Sequence, residues 1–335
     1  MRAHGRVAAR FVPACGGEVN VRMPGMFVLI ALLVAPGIGI AQVDDAPSLA
    51  GVIDIHAHVA PETAMLNFKR AYDAIEAAQI ARIYGMRGLV LKEHNTETAS
   101  WAYLTSQVVP GVEVFGGIVL NKAVGGINPV AVESMALTRG RLGRVVYMPT
   151  MDAEVRLPRG SPRAVAVSRN GQLLPEVLEV LKVIAKYDLA LSTGHVSAEE
   201  ALMVVRAAKD AGVKKMYVQH PNHGGIVMSM AQMKQAVGLG AFIEIVLSGE
   251  GFTGGTPRAI NHDNPVMDYG PQKLADMREL GPANIIISTD LGQPGRVNYA
   301  QAFQMGMAVL AKSGFSQAEI DMMTKQNPAR LLGLK

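Results

Sequence analysis

Eight short apolar runs, nearly every one followed by a stretch of helical character, set the strongest limit on what this 335-residue chain can fold into. The runs fall at 52–55, 87–91, 112–120, 144–148, 189–193, 215–219, 241–246 and 285–288. Helical patterns follow near 62–84, 96–108, 128–138, 174–187, 229–237, 299–312 and 317–332, and Ser197-Ala-Glu-Glu200 reads as a capping box opening another. Apolar runs of strand length alternating with helices call for a parallel sheet with helices outside. Eight such units in about 290 residues fit a (β/α)8 TIM barrel. A doubly wound open sheet is the competing arrangement, but no Gly-x-Gly-x-x-Gly turn follows the first strand and no P-loop is present. Two stretches exceed ordinary βα loops, 153–171 after strand 4 and 248–270 after strand 7. Both are rich in Gly, Pro and Arg, and are either surface decoration or a lid over the barrel mouth.

The N-terminus has a different character. Arg2, Arg6, Arg10 and Arg22 precede an apolar run at 27–40, interrupted by Pro36, and Gly39-Ile40-Ala41 is a small-x-small cleavage pattern before Gln42. The run is too short to span a bilayer, so residues 1–41 read as an export signal and 42–335 as one barrel domain. The uncleaved anchor is the alternative, and Met23 and Met26 are alternative starts. Residues 1–41 hold four Arg and one Glu; without them 28 basic face 27 acidic residues, and the net charge falls from +4 to +1. No basic patch argues for nucleic acid, and cleavage of the signal leaves no stable membrane insertion. The single cysteine, Cys15, lies in the same segment, which excludes thiolate catalysis and Cys-ligated zinc from the remainder. An exported, periplasmic or secreted protein is expected. A homo-oligomer is compatible with the sequence.

Of eight histidines, His56, His58, His94, His195, His220 and His223 sit at or just past the C-terminal ends of strand candidates; His4 lies in the signal and His262 in the second insertion. In a (β/α)8 barrel those ends form one face, where active sites are built. The first pair, in Asp54-Ile-His56-Ala-His58, is spaced so that both rings project from one side about 7 Å apart. That suits two ligands of one metal ion; two histidines on a solvated edge strand is the alternative. His195 in Ser-Thr-Gly-His and His220 in Gln-His-Pro are further ligand candidates. Asp290 ends the last strand, as a ligand or a helix N-cap. Asp54, taken to share a face with His56, either orients an imidazole or is a buried carboxylate satisfied by backbone. His94, His223, Asn121 and Glu244 read as substrate-facing.

Together, His-x-His on the first strand, single histidines ending the fifth and sixth, and an aspartate ending the eighth resemble the amidohydrolase superfamily. The likeness is greatest to a little-characterised bacterial group with Lys-x-His after strand two (Lys92-Glu93-His94) and Asn-Lys-x-x-Gly-Gly-x-Asn-Pro after strand three (Asn121 to Pro129). The resemblance implies a metal-dependent hydrolase acting on a small molecule, with metal-activated water attacking an amide, lactone, ester or phosphoester bond. It implies one or two divalent ions, Zn²⁺ first and Mn²⁺ or Fe²⁺ as alternatives, on His56, His58, His195, His220, Asp290 and Lys92. Asp290 and Lys92 are then the catalytic groups. Many binuclear members carry a bridging carboxylated lysine on strand four, where this chain has Met148-Pro-Thr-Met-Asp152. Lys92 is the lysine with comparable reach, as a carboxylated bridge, a cation that holds charge, or a structural ion-pair partner. Two rivals remain at this stage, a metal-dependent decarboxylase and a non-catalytic periplasmic binding barrel. The insertions bring Arg156, Arg159, Arg163, Arg169 and Arg258, which suit an anionic ligand.

Overall fold

Parallel strands β1 (Ile53–His58), β2 (Gly88–Lys92), β3 (Glu113–Val119), β4 (Gly143–Tyr147), β5 (Ala190–Ser192), β6 (Lys215–Val218), β7 (Ala241–Val246) and β8 (Ile285–Ser288) pair in chain order. β8 and β1 meet just past the end of β8, where His58 N donates to Leu291 O at 2.8 Å and Asp290 N to His56 O at 2.9 Å. The result is a nearly closed (β/α)8 barrel. The computed structural model describes residues 46–63, 68–221, 226–248, 252–253, 256–257 and 271–335, all within the unit Asp44–Lys335. The expected signal segment lies outside them, as do His223, His262 and Arg258. Among the described residues no helix is long and apolar enough to cross a membrane.

The helices are α1 (Ala74–Ile83), α2 (Ala99–Val108), α3 (Pro129–Leu137), α4 (Pro175–Lys186), α5 (Ala198–Asp210), α6 (Met230–Gly238), α7 (Pro271–Leu280), α8 (Tyr299–Lys312), α9 (Gln317–Asp321) and α10 (Asn327–Leu332). The Ser197–Glu200 capping box opens α5 as read from sequence. α1 is shorter than its pattern, because the Asp73 carboxylate accepts from the Ile75 and Glu76 amides and sets the helix start there, a cap worth about 1 kcal/mol. The pattern at 317–332 is not one α-helix. Pro328 has no N–H for the carbonyl four residues back, and a π-helical turn, Met322–Gln326, separates α9 from α10. Helix α7, polar in composition, has only the short apolar stripe Leu274, Met277 and Leu280 to announce it. The 148–174 stretch after β4 holds a 3₁₀ turn, Glu154–Arg156, and a pair of two-residue strands, Ser168–Arg169 and Gln172–Leu173. Of the 249–270 stretch, only the paired two-residue strands Phe252–Thr253 and Thr256–Pro257 are described.

Inside the barrel, Ile53, Ile55, Val90, Val145, Ala190 and Ile286 pack with Leu331 and Leu332 of α10, which plug one end. Tyr147 and Tyr217 meet edge-on above them, ring centroids 6.5 Å apart. A second apolar shell joins the sheet to the helices. The two shells reveal a β-bulge in β1: Asp54 pairs with Leu89 but Ala57 pairs with Leu91, so one extra residue is inserted between them. Ile55 and His56 therefore both turn inward. Asp54 shares the face of Leu89, not that of His56, which corrects the expectation from strict alternation. Its carboxylate accepts from the backbone amides of His56 (3.0 Å) and Thr289 (3.1 Å) and from the Thr289 hydroxyl. It thus stitches β8 to β1 where ladder bonds run out. Burial raises its pKa, partly offset by those donors.

Candidate metal centre

Strand ends carry the histidines to the mouth. Five imidazoles form a ring: His56–His58 centroids lie 5.1 Å apart, His58–His94 4.9 Å, His94–His195 6.4 Å, His195–His220 5.0 Å and His220–His56 5.7 Å. The Tyr147 ring is the floor, with Lys92 Nζ 4.7 Å above its centroid. Above that floor His56 Nε2 and His58 Nε2 each lie 3.0 Å from Asp290 Oδ1, and Lys92 Nζ lies 2.7 Å from His56 Nε2.

The other ring nitrogen of His56 fixes its chemistry. His56 Nδ1 is 2.9 Å from Glu244 Oε1, which also accepts from Ser288 Oγ at 2.6 Å, while Glu244 Oε2 accepts from the His220 amide at 3.1 Å. A carboxylate accepts only, so Nδ1 carries the proton and Nε2 presents its lone pair to Asp290. A lone pair and a carboxylate oxygen 3.0 Å apart call for positive charge beside them, which the Lys92 ammonium 2.7 Å from Nε2, a proton or a metal ion can supply. Among the described residues two groups of donors could hold a metal ion, and the first of them includes Asp290. His56, His58 and Asp290 offer one atom each, mutually within 4.8 Å, and so do His56, His220 and Glu244. Two imidazole nitrogens and a carboxylate suit Zn²⁺ and similar divalent ions.

Charge in the centre is strongly organised. Burial and the nearby Lys92 charge oppose protonation of His56, but the Asp290 and Glu244 carboxylates outweigh them and raise its pKa. For Asp290, burial favours the neutral acid, yet His56 and His58 hold it well below the usual carboxylate range. Burial pulls Lys92 down to about 8 against the pull of Asp290 and Glu244. Burial also takes His58, His94 and His195 well below their ordinary value, with Arg70 adding to the shift at His58, His58 at His94, and His220 at His195.

These three neutral histidines give an expected pH response. The unfolded chain binds their protons near pH 6.5 and the folded chain does not, so their stability is present above 6.5 and lost below it. His56, whose pKa is raised, has the opposite sign, but its contribution is in place below 6.5 and is lost only as the pH rises above it, so all three groups act in the window below 6.5. At up to 1.36 kcal/mol per pH unit each, and half-titrated at 6.5, they cost the metal-free protein roughly 3 kcal/mol between pH 6.5 and 5.5. Calorimetry in the presence of a chelator should show Tm falling by several degrees from pH 7.5 to 5.5; a flat or rising Tm contradicts this charge assignment.

The remaining sequence-read residues fall around this centre. His195, expected as a ligand, belongs to neither donor group; its Nδ1 faces Arg156 Nη1 at 3.3 Å, and a guanidinium can only donate. His220 is stacked on His56, with Gln219 Nε2 2.9 Å from its Nε2. His94 Nδ1 lies 2.9 Å from Thr150 Oγ1. Asn121 and Glu244, grouped by sequence with substrate contacts, are hydrogen-bonded to protein groups. Asn121 Nδ2 donates to His94 O and Thr150 Oγ1, and its Oδ1 accepts from the Thr150 and Asp152 amides. Sequence reasoning passed over Gln219, Ser288, Thr150 and Arg70. Gln219 immediately precedes His220, and Ser288 follows the apolar run of β8, so both stood at strand ends; Arg70 lies in a loop without period.

The backbone is drawn tight here too. His220 and Asp290 adopt positive φ, +20° and +53°, a conformation that persists only where surroundings enforce it. Gly292 has φ +127°, and its Cα lies so close to β1 that an added Cβ would stand 2.0 Å from His58 O.

A (β/α)8 barrel with a five-histidine mouth and a carboxylate between two imidazoles is thus what the chain builds. It belongs to a family of unknown function, DUF6282, whose model matches residues 51–244. No curated protein matches the sequence. Among solved structures it is similar in fold to one described as an organophosphate hydrolysis activity engineered from a weak promiscuous lactonase template. That similarity has 14% identity and a TM-score of 0.55, covering 86% of this chain and 97% of the other. It is also similar to an organophosphorus hydrolase from Deinococcus radiodurans (13%, TM-score 0.53, 86% and 93%) and to a D-hydantoinase (13%, TM-score 0.55, 84% and 70%).

Proposed function

We propose that this protein is a metal-dependent hydrolase of the amidohydrolase type, acting on an amide, lactone, ester or phosphoester bond of a small molecule. The observation that carries the reading is the convergence of His56 Nε2 and His58 Nε2 on Asp290 Oδ1, with the His56 tautomer set by Glu244. The fold shared with an organophosphate-hydrolysing enzyme engineered from a lactonase, an organophosphorus hydrolase and a D-hydantoinase supports it. A divalent ion on His56, His58 and Asp290, Zn²⁺ by donor type, would supply Lewis acidity and acidify a water towards neutrality.

Asp290 takes the water's proton and returns it to the leaving group; as an ionised carboxylate beside His56 and His58 it has lone pairs with which to accept. Lys92 Nζ, 2.7 Å from His56 Nε2, faces the same space and holds the oxygen on which negative charge builds. His94 lines the wall beside His58. Both Glu244 oxygens already accept from His56, Ser288 and the His220 amide, so the reading favours one ion over two, and Glu244 as the group that orients His56. A Lys92 carboxylated as a bridge belongs to the two-ion alternative. The run at 27–40 is proposed to direct export, tested by whether the mature N-terminus is Gln42.

Lactones, amides and phosphoesters assayed with chelated protein, then with added Zn²⁺ or Mn²⁺, test the activity. At least one class should be turned over only after metal is restored. Turnover that ignores the chelator refutes the reading, and metal-restored loss of CO₂ without hydrolysis would favour a decarboxylase.

A further inference from the structure

One side of the mouth is short of acceptors. Three loops that neighbour one another around the barrel, after β8, β1 and β2, each bury a nitrogen that has no hydrogen-bond partner: Arg296 Nη1, Arg70 Nε and Asn95 Nδ2. A buried donor left unpaired costs about 1–3 kcal/mol. Three on one side of a metal-competent site call for an acceptor that arrives from outside.

Arg70 can be placed with some detail. The next residue is tied to the β8 loop, Ala71 N donating to Gly292 O at 2.7 Å. Arg70 Cζ lies 5.9 Å from the Phe68 ring centroid, and that ring is 6.2 Å from His94. Its charge reaches His58, Lys92 and His94, and the carboxylates of Glu93 and Asp290 act on it in return. The guanidinium therefore stands beside the histidine ring. Two arginines of the first insertion have acid partners, Arg163 on Asp152 at 2.5 Å and Arg169 on Glu154 at 2.6 Å, and Arg156 contacts His195.

We propose that the substrate carries an oxyanion, a carboxylate or a phosphate, and that Arg70, with Asn95 and Arg296, seats it beside the bond to be cleaved. The proposal rests on the hydrolase reading for the identity of the site. A guanidinium presents its N–H groups in a planar fork that matches a carboxylate or phosphate edge, and amide and guanidinium donors from flanking loops complete the cradle. The arginines of the insertions pointed to an anion from sequence, but the residue assigned here lies in a different loop.

The test is calorimetric titration of the purified, metal-loaded protein with succinate and with inorganic phosphate, using neutral succinamide as the control. Wild type should bind at least one anion and bind succinamide at least tenfold more weakly than succinate if a carboxylate is the group. Arg70→Met and Arg296→Gln should each weaken anion binding at least tenfold. Loss for phosphate alone assigns a phosphate, and loss for succinate alone a carboxylate. Should Arg70→Met fail to fold by circular dichroism, Arg70→Lys and Arg296→Gln carry the comparison. Wild type binding neither anion, or variants binding both as tightly as wild type, overturns the proposal. The hydrolysis panel on the same preparations separates the two readings. Arginine-dependent anion binding without hydrolysis refutes the hydrolase alone, and hydrolysis with arginine-independent anion binding refutes the cradle alone.

Discussion

Asp290→Asn is expected to lower kcat/KM on any substrate found by the panel by about 10³-fold or more, with little change in fold. The size follows from two losses at one atom. Oδ1 faces both His56 Nε2 and His58 Nε2, so the substitution removes the anionic donor between two imidazoles. It also removes the proton acceptor, a role worth about 10²–10⁴-fold by itself. The variant is a clean one because of the backbone. Asp290 sits at φ +53°, where Asn is among the few residues at ease, and the near-isosteric amide keeps the shape. His56 loses one of the two carboxylates that raise its pKa, so its protonation should fall as well. Activity within tenfold of wild type would remove Asp290 from the mechanism.

Gly292→Ala should cost stability on the scale of 3 kcal/mol or more, by the mechanisms that give the largest single-residue effects. The new methyl would lie 2.0 Å from the carbonyl oxygen of His58 and 3.0 Å from its Cβ, at a φ of +127° that side chains avoid. The neighbouring atoms are backbone of β1 and cannot swing aside. Relief requires the β8 loop to retreat from β1, and Leu291, whose carbonyl accepts from His58 N, retreats with it. Asp290 would then part from His58. The expected result is a Tm lower by roughly 10 °C together with weaker metal binding. A variant with wild-type Tm and wild-type metal affinity would show that the seam is not held as described.

How much of this was legible in the chain depends on which physical signal each residue left. A parallel strand buried on both faces must be apolar until it emerges, so a polar residue at its end stands out. His56, His58, His195, His220 and Asp290 were found that way, as was the barrel itself. Helix α7 carries only a short apolar stripe, Leu274, Met277 and Leu280, on a polar helix, and was passed over. The bulge in β1 could not be read, because Ile55 and His56 both look like ordinary members of an alternating strand; only the register with Leu89 and Leu91 reveals the extra residue. Asp54 was therefore assigned to the wrong face. Glu244 and Asn121 were visible as polar residues on or ending apolar strands, but residue type alone does not show which neighbours their side chains bond. Arg70 left no pattern: its place beside His58 depends on a backbone bond to Gly292, more than two hundred residues away.

The central claim is that His56, His58 and Asp290 hold a divalent ion, and elemental analysis tests it most directly. Purified protein is loaded with Zn²⁺, dialysed and measured by mass spectrometry alongside His56→Ala and His58→Ala, with folding of each confirmed by circular dichroism. The account predicts close to one ion per chain for wild type and less than about a tenth of that for each variant, given that loss of one of three donors removes most of the affinity. Wild type without stoichiometric metal, or folded variants that keep their full complement, would contradict it.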